Sequence, residues 1–221
     1  MKNSFEITAG NFAMIPDCQN IAHGGARGLA SLFRKTRETD ISMRLNIAGS
    51  GQCSISSGIG FLNHLLELFA FWAKFDLELK CVGDVDVDAH HTVEDCGFMF
   101  GKTLLEALGD RRGIRRAAWA RVPMDEALAE IAVDLSGRAY LVWRDADLLP
   151  PVIAREEKDV WREFFRAFAT GCACNLHIDF RYGSNGHHLL ESAAKGCGLA
   201  FGEACAIVDD RIISTKGKLD L

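Results

Sequence analysis

The rest of the chain is organised around a segment with the spacing of metal ligands, Asp86-Val87-Asp88-Ala89-His90-His91-Thr92-Val93-Glu94-Asp95. The segment predicts a short alternating run that ends in an acidic rim, followed by a helix that opens on two adjacent histidines and a carboxylate. His90 and His91 lie four and three residues from Glu94, so on a helix each histidine can share a face with that carboxylate. Adjacent helical residues point about 100° apart, so the two histidines cannot readily bind one ion together. The segment therefore predicts metal ligation divided between two ions or two half-sites.

The same arrangement recurs at His187-His188-Leu189-Leu190-Glu191, and 97 residues separate each histidine and glutamate from its counterpart. The same spacing relates Gly101 to Gly198 and Glu106 to Glu203, and it also pairs Phe71 with Phe168 and Leu79 with Leu176. An accidental repeat of two histidine pairs does not explain why each pair carries a glutamate at the same distance. We therefore predict an internal duplication.

The composition of the chain argues against two classes of function, nucleic-acid binding and membrane binding. A chain of 221 residues with 48% hydrophobic residues can bury the core of one domain. The net charge of −5 provides no general attraction to nucleic acid or to an anionic membrane, and neither partner is expected. The eight cysteines form no C-x-x-C pair, and several occupy apolar positions of predicted elements. We expect them to be reduced and the protein to be cytoplasmic.

The first half of the chain is predicted to begin with an extension over residues 1–33, containing a short strand at 5–8 and a linker at 23–28. Alternation from Ile41 to Ile47 and again at Cys53 and Ile55 predicts a hairpin. A helix over 61–74, strands near 75–82 and 84–88, and a helix from His90 to about residue 108 follow. The main domain is predicted over residues 34–221, as repeats of about 34–110 and 111–217.

The second half of the chain repeats this plan. Strands are predicted near 114–121, 126–136 and 138–144. The next predicted helix carries an apolar stripe with the spacing of a core face, formed by Val160, Trp161, Phe164, Phe165 and Phe168. A strand near 172–180 places His177 on its polar face, opposite Leu176 and Ile178.

The candidate metal ligands are histidines at element ends or on polar faces, with the two glutamates beside them: His64, His90, His91, Glu94, His177, His187, His188 and Glu191. A lone histidine such as His64 on an apolar helix is more often a packed core residue. Imidazole nitrogens with carboxylate oxygens, and no thiolate at matching spacing, favour Mn²⁺, Fe²⁺ or Zn²⁺ in an open site over a structural zinc. Four basic residues on turns or beside this site predict an anion, such as a phosphate: Arg116, Arg138, Lys195 and Lys216.

Eight motifs, in this order, give the chain its resemblance to the imidazoleglycerol-phosphate dehydratases of histidine biosynthesis: residues 34–39 (RKTRET), 60–64 (GFLNH), 90–95 (HHTVED), 109–114 (GDRRGI), 123–126 (PMDE), 134–138 (DLSGR), 187–192 (HHLLES) and 214–217 (STKG). The resemblance extends from Arg34 to Gly217. It implies a duplicated α+β fold similar to the second domain of ribosomal protein S5. Each half would be a four-stranded sheet with two helices.

The resemblance also implies a function. It implies manganese-dependent dehydration of imidazoleglycerol phosphate to imidazoleacetol phosphate, with two Mn²⁺ per active site. It implies a homo-oligomer of 24 subunits in which ligands come from more than one subunit. The eight candidate ligands match the family's ligand set, and the implied catalytic residues are Glu38, His91, Glu94 and Glu191. The implied substrate-binding residues are Glu38, Arg116, Arg138, Lys195, Ser214 and Lys216.

The chain departs from the family pattern at four positions. Asn63 and Gly186 stand where an aspartate is usual, Leu68 where a glutamine is usual, and Trp72 where a histidine is usual. Two alternatives stay open on the sequence. A diverged metal-dependent lyase or hydrolase would act on another phosphate ester with the same ligands. A non-enzymatic, metal-held shell protein would keep the histidines but would not need Glu38, Lys195 and Lys216.

Overall fold

The computed structural model describes residues 19–20, 27–217 and 219. The predicted strand at 5–8 and most of the predicted linker at 23–28 lie outside the described residues. Strand β1 (Gln19–Asn20) pairs with β2 (Leu29–Lys35). The predicted boundary between residues 33 and 34 therefore falls inside a strand, and the division into an extension and a domain stays a prediction.

The first half continues with β3 (Thr39–Asn46), β4 (Cys53–Ser56), α1 (Gly60–Ala73), β5 (Asp76–Gly83) and α2 (His90–Leu108). Its sheet has the strand order β1-β2-β3-β5-β4, with β4 parallel to β5 and the other neighbours antiparallel. Helices α1 and α2 both pack on this sheet. Buried residues recur at helical spacing along α1, from Leu62 through Leu66 and Phe69 to Ala73.

The second half contains β6 (Ala117–Met124), β7 (Ala127–Asp134), β8 (Tyr140–Arg144), β9 (Val152–Ile153), β10 (Glu156–Glu157), α3 (Lys158–Cys172), β11 (Asn175–Tyr182) and α4 (Gly186–Cys205). Its four-stranded sheet has the order β6-β7-β11-β8, which repeats β2-β3-β5-β4 of the first half, and β9 and β10 form a separate two-stranded ribbon. The predicted duplication of a four-stranded sheet with two helices is confirmed. The predicted apolar stripe of α3 is buried.

The helices of the two halves pack against each other between the sheets, α2 on α3 and α1 on α4. Glycines allow these contacts to be close. A Cβ at Gly101 of α2 would lie 2.1 Å from the carbonyl oxygen of Phe168 in α3, and one at Gly198 of α4 would lie 2.5 Å from that of Phe69 in α1. Both distances are too short for a side chain, so the absence of a Cβ sets the separation of each helix pair.

The structure corrects the register of the duplication. Gly101 and Gly198 are equivalent and 97 residues apart, as predicted, but their partners Phe168 and Phe69 are 99 residues apart. Strand β11 likewise begins 99 residues after β5. The predicted pairings of Phe71 with Phe168 and of Leu79 with Leu176 are therefore wrong by two residues, because the connections between elements differ in length.

Two predicted local elements are also wrong. Strands β3 and β4 do not form a hairpin, because β5 lies between them and pairs with both. Asp76, at the start of β5, accepts hydrogen bonds from the backbone N–H groups of Ser50 and Gln52, which holds the intervening loop. The predicted strand at 84–88 is a turn whose Val85 and Val87 are exposed. Among the described helices, none is long and apolar enough to cross a membrane.

Candidate active site

Three candidate ligands converge where α1 meets α4. Nε2 of His64 lies 2.7 Å from Oε1 of Glu191, and Nε2 of His187 lies 3.0 Å from the same oxygen. One potential ligand atom from each of these residues lies within 4.8 Å of the others, and in the described part of the chain this is the one such group of three. Two imidazole nitrogens and a carboxylate oxygen form a donor set that fits a divalent transition metal.

Glu191 is the buried anion of this group. Its second oxygen accepts a hydrogen bond from Nζ of Lys195 at 2.9 Å. Burial raises the pKa of the Glu191 carboxyl, but hydrogen bonds from His64, Lys195 and His187 outweigh burial and hold that pKa at about 2. The carboxylate therefore stays ionised at neutral pH and is available to a cation. The ring of Phe61 packs 4.7 Å from that of His187.

Equivalent side-chain hydrogen bonds lie at the two histidine pairs, both of which stand at helix starts. Oδ1 of Asp88, one residue before the N-cap Ala89, accepts from the backbone N–H of His90 at 2.7 Å, and Oδ1 of the N-cap Asn185 accepts from that of His187 at 2.9 Å. The rings of His90 and His91 are inclined at 82°, and those of His187 and His188 at 88°. Within each pair the two ring planes are therefore nearly perpendicular, and the division into two half-sites stays a prediction.

The second histidine of each pair is oriented by a carboxylate. Nδ1 of His91 lies 3.0 Å from Oδ2 of Asp84, and Nδ1 of His188 lies 2.8 Å from Oε2 of Glu126. An ionised carboxylate only accepts, so Nδ1–H donates in both bonds, which leaves the lone pair of Nε2 available to a metal ion. The same bonds raise the pKa of His91 and of His188 above the usual value for histidine. A metal must therefore compete with protons at these two rings.

At the start of α2 the candidate ligands are less closely grouped. Nε2 of His90 lies 3.6 Å from Oε2 of Glu94. The other oxygen of Glu94 accepts a hydrogen bond at 2.8 Å from the guanidinium of Arg166 on α3. Arg166 thus pairs with Glu94, whereas the equivalent Glu191 at the α1–α4 site is contacted by Lys195 and two histidines.

Glu38 lies in the turn before β3, beside His91. Its Oε1 is 3.9 Å from Nε2 of His91, and its side chain is about half exposed. The backbone N–H of Glu38 donates to Oγ1 of Thr36, and its carbonyl oxygen accepts from the N–H of Asp84. These bonds fix the backbone and leave the carboxylate accessible. The structure thus brings together the predicted base and a predicted ligand.

Two of the predicted phosphate-binding residues, Arg116 and Ser214, lie near the end of α4 that is opposite the metal group. The backbone N–H of Arg116 donates to the carbonyl oxygen of Ala204, and its guanidinium forms a two-bond ion pair with Asp134 at 2.7 and 3.0 Å. Its Nη1 also donates to the carbonyl oxygen of Ile213 at 2.6 Å, directly before Ser214. Arg138 and Lys216 are exposed.

Within one chain these residues are distant from the metal group. Seventeen residues of helix separate His187 from Ala204, which at 1.5 Å per residue is about 25 Å. Lys195 is the exception among the predicted phosphate residues, because it contacts Glu191. A small substrate cannot reach both ends of α4 in a single chain.

His177 lies apart from the other predicted ligands. It pairs in register with Ala132 of β7 and Val142 of β8 on β11, and it is exposed, whereas its neighbours Leu176 and Ile178 face the helices and are buried. Its side chain therefore projects from the outer face of the second sheet. Its role as a ligand stays a prediction that would require another chain.

Comparison with known proteins identifies the family. The family model described as imidazoleglycerol-phosphate dehydratase matches residues 57–201. The imidazoleglycerol-phosphate dehydratase of Maridesulfovibrio salexigens is 56% identical over 191 residues, covering 86% of this chain and 97% of that protein. That of Oleidesulfovibrio alaskensis is 57% identical over 194 residues, covering 88% and 99%. The chain belongs to the imidazoleglycerol-phosphate dehydratase family.

Solved structures of imidazoleglycerol-phosphate dehydratases share the fold. The enzyme from Staphylococcus aureus matches with a TM-score of 0.72 and 32% identity, covering 82% of this chain and 99% of that one. The enzyme from Pyrococcus furiosus, in complex with (S)-C348, matches with a TM-score of 0.72 and 31% identity, covering 85% and 99%. The family resemblance and the duplicated α+β fold are both confirmed. The chain is a hydro-lyase of the carbon–oxygen lyase class.

Two departures from the imidazoleglycerol-phosphate dehydratase pattern have local explanations. Oδ1 of Asn63 accepts from the N–H and the hydroxyl of Ser57 at 3.0 and 2.6 Å, so it closes the loop before α1 as an aspartate oxygen would. A Cβ at Gly186 would lie 2.7 Å from Cδ of Pro150, so this loop excludes an aspartate there. Trp72 is 39% exposed and Leu68 packs at the edge of the core.

Sequence reasoning missed three residues that the structure adds to this site. Asp84 and Glu126 orient His91 and His188, and Arg166 binds Glu94. The acidic turn before α2 was available as a signal for Asp84, since carboxylates commonly orient ligating histidines. Arg166 lies on a helix whose apolar stripe indicated only core packing, and no local pattern connects it to Glu94, 72 residues away.

Proposed function

We propose that the protein dehydrates imidazoleglycerol phosphate to imidazoleacetol phosphate in histidine biosynthesis, using manganese. The observation that supports this most is the convergence of His64, His187 and Glu191 in a chain of this family, with Lys195 beside them. Histidine and carboxylate ligands without thiolates suit Mn²⁺, with two ions per active site. A bound divalent ion would polarise the imidazole ring of the substrate, making departure of hydroxide and loss of a neighbouring proton easier.

The proton acceptor in this proposal is Glu38. The reaction removes a proton from carbon, and a carboxylate within reach of that proton accelerates its removal. Glu38 is exposed beside His91, and its backbone is held by Thr36 and Asp84. The carboxylate can therefore approach a substrate ring that lies near Nε2 of His91. His91, Glu94 and Glu191 would act as ligands that hold the reacting ring.

The phosphate group would be held by arginine and lysine. Arg116 is fixed by Asp134 and by the carbonyl oxygen of Ile213, the residue before Ser214, and Oγ of Ser214 accepts from the backbone N–H of Lys216. Arg138 follows on the neighbouring turn. These donors suit a phosphate dianion, and clamping it would keep the substrate's carbon chain within reach of the base.

The active site would be completed by other copies of the chain. Because about 25 Å of helix α4 separates the metal group from Arg116 within one chain, a neighbouring copy must supply one of the two parts. A homo-oligomer, in the arrangement of 24 subunits that the family resemblance implies, would do so. Among the described residues, seven cysteines are free thiols and six of these are buried, which supports a reducing, cytoplasmic location.

Turnover with defined metals tests the proposed function. Protein stripped of metal and reloaded with manganese should convert imidazoleglycerol phosphate to a ketone, followed by nuclear magnetic resonance. The stripped protein should be inactive, and magnesium should restore less activity than manganese because histidine nitrogens bind manganese better. If correctly assembled, manganese-loaded protein forms no ketone, the proposed reaction is wrong.

The phosphate assignment predicts a change in substrate binding. Lys216→Ala should raise KM about tenfold or more with little change in kcat, because it removes one charge-assisted hydrogen bond to the phosphate. Manganese content should stay normal, since Lys216 is exposed and outside the metal group. Lys80→Ala, an exposed lysine on β5, is the matched control. Loss of metal from the Lys216 variant would contradict the assignment.

A further inference from the structure

The turn that carries Glu38 is attached to helix α2 as well as to its own sheet. Oγ1 of Thr39, the first residue of β3, donates to Oδ2 of Asp95 in α2 at 2.5 Å. Thr39 is 2% exposed, so this hydrogen bond is shielded from water. Asp95 directly follows Glu94 on the helix that also carries His91. One hydrogen bond thus joins the residue after the proposed proton acceptor to the residue after a candidate metal ligand.

Asp95 has a second partner, on the other strand of the same hairpin. Its Oδ2 also pairs with Nη1 of Arg34 in β2, and the side chain of Asp95 is 16% exposed. The Arg34 guanidinium lies 5.9 Å from the ring centroid of Phe98, one turn further along α2. Helix α2 is therefore joined to both strands that meet at the Glu38 turn.

A separate connection to α2 runs through the backbone of Glu38. Its carbonyl oxygen accepts from the N–H of Asp84 at 3.0 Å, and the Asp84 carboxylate binds Nδ1 of His91. Within the turn, Oγ1 of Thr36 accepts from the N–H groups of Glu38 and Thr39 at 3.1 and 3.0 Å. A turn attached to a helix at one point can pivot, whereas attachment at two points fixes its orientation. The two connections together set the direction of the Glu38 side chain relative to His91.

Counterpart positions in the second half show which contacts are specific to the first. Strands β3 and β7 hold the same place in their sheets and both contain eight residues, so their first residues, Thr39 and Ala127, are counterparts. Ala127 has no hydroxyl to donate. The spacing of 97 residues makes Ser192 the counterpart of Asp95, and its hydroxyl donates to the carbonyl oxygen of Leu189 in its own helix. These residues of the second half therefore form no equivalent of the Thr39–Asp95 bond.

The glutamate that precedes each of these strands has a different task in each half. Glu126, the counterpart of Glu38, binds Nδ1 of His188 at 2.8 Å. In the first half Asp84 binds Nδ1 of His91 instead, so the Glu38 carboxylate is not used to orient a histidine. The half that leaves its glutamate carboxylate accessible is thus also the half that attaches the turn to α2 through a buried hydroxyl.

We propose that Thr39 and Asp95 are positioning residues that hold the Glu38 carboxylate where it can take a proton from the substrate. The inference rests on the proposed role of Glu38 as proton acceptor and deepens it. Thr39 is buried, so it acts through Glu38 and not on the substrate. Because a displacement of about 1 Å can lower a rate about 10²-fold, loss of this bond should slow proton transfer without weakening substrate binding.

Steady-state kinetics of the manganese-loaded full chain test the proposal. Thr39→Val removes the hydroxyl and keeps the shape, so kcat should fall about 10- to 100-fold while KM changes by less than about threefold. Thr39→Ser keeps the hydroxyl and should retain kcat within about threefold of the unmodified protein. Unchanged kcat in Thr39→Val, or an equal loss in Thr39→Ser, would overturn the proposal.

Thr103→Val is the matched control for Thr39→Val. Thr103 is also buried, and it lies on α2, where its hydroxyl donates to the carbonyl oxygen of Met99 at 2.7 Å. A hydroxyl bonded to its own helix contributes little, so this variant should keep kcat within about twofold. A loss in Thr103→Val as large as that in Thr39→Val would assign the effect to altered packing and overturn the proposal.

A double-mutant cycle separates positioning from general stabilisation of the fold. In a Glu38→Gln background, Thr39→Val should lower kcat further by less than about twofold, because no carboxylate is left to position. A merely structural role of Thr39 would lower kcat by the same factor in both backgrounds, and that outcome overturns the proposal. If Thr39→Val does not assemble, Thr39→Ala leaves space in place of a methyl group and must meet the same two expectations.

Different outcomes contradict the proposed function and this inference. If Glu38→Gln is slow and Thr39→Val is not, the inference fails while Glu38 remains the proton acceptor. If Glu38→Gln retains turnover, the role of Glu38 fails, and the inference fails with it. Manganese content and particle mass should be unchanged in Thr39→Val. Loss of manganese from this variant would show that Thr39 supports the metal group and not the base, which also overturns the proposal.

Discussion

Glu38→Gln should lower turnover by about 10²- to 10⁴-fold, the usual contribution of a general base. Glutamine keeps the size of the side chain and removes its ability to accept a proton. The backbone bonds that hold residue 38 involve Thr36 and Asp84 and do not depend on the carboxylate. Steady-state kinetics on manganese-loaded protein would show the loss in kcat, with metal content and particle mass unchanged.

Asp40→Asn is the matched control for this variant. Asp40 is a partly exposed carboxylate two residues further along the chain, and its described partner is Lys35, at 2.6 Å. Its replacement should leave turnover within about twofold of that of the unmodified protein, since surface ion pairs contribute little to stability. Retained turnover in Glu38→Gln would show that another group accepts the proton.

Removal of metal should dissociate the assembly and abolish turnover. In one chain the candidate ligands His64, His187 and Glu191 converge, whereas His91 and His188 lie outside this group. Ligands supplied by neighbouring copies would then join subunits through the metal. The free energy of metal binding would therefore stabilise the assembly. Sedimentation velocity of chelated against manganese-loaded protein measures the change in mass. An unchanged mass would exclude metal as a bridge between subunits.

Acidification should reproduce the effect of chelation. Imidazole binds metal in its neutral form, and free histidine titrates near about 6.5. The hydrogen bonds that His91 donates to Asp84 and His188 donates to Glu126 raise the pKa of both histidines, so their affinity for metal should begin to fall above that pH. The pKa of Glu191 is held at about 2, so this carboxylate does not contribute to the loss near neutrality. Readdition of manganese at neutral pH should restore the particle.

Patterns that repeat along the sequence predicted most of the fold. The remaining features depend on the pairing of strands that are distant in the sequence. The two histidine pairs with their glutamates indicated the duplication before any strand was placed. The alternation around Gly49-Ser50-Gly51 resembled a hairpin, but β5 enters between β3 and β4 from 20 residues later in the chain. Sequence proximity alone could not show this insertion. Val85 and Val87 alternate like a strand but lie exposed in a turn.

The candidate site was predicted where ligands follow one another on a helix and missed where they meet across helices. His90 and Glu94, or His187 and Glu191, are neighbours on a helix face and need no tertiary information. The contact of Arg166 with Glu94 depends on how α3 packs on α2. Strand alternation correctly predicted that His177 lies on the face opposite Leu176 and Ile178, and its role as a ligand from another copy of the chain stays a prediction.

The contact of Gly198 in α4 with Phe69 in α1 affects the geometry of the metal group as well as the packing of the core. His64 and His187 lie on opposite helices, and the distance between them is set where Gly198 meets Phe69. A methyl group at that crossing would spread the helices and separate the two imidazoles, although it lies about 16 Å along α4 from His187. Residues at the crossing therefore affect ion affinity as well as stability. A substitution there would change how tightly an ion is held, even though none of the altered atoms touches the ion.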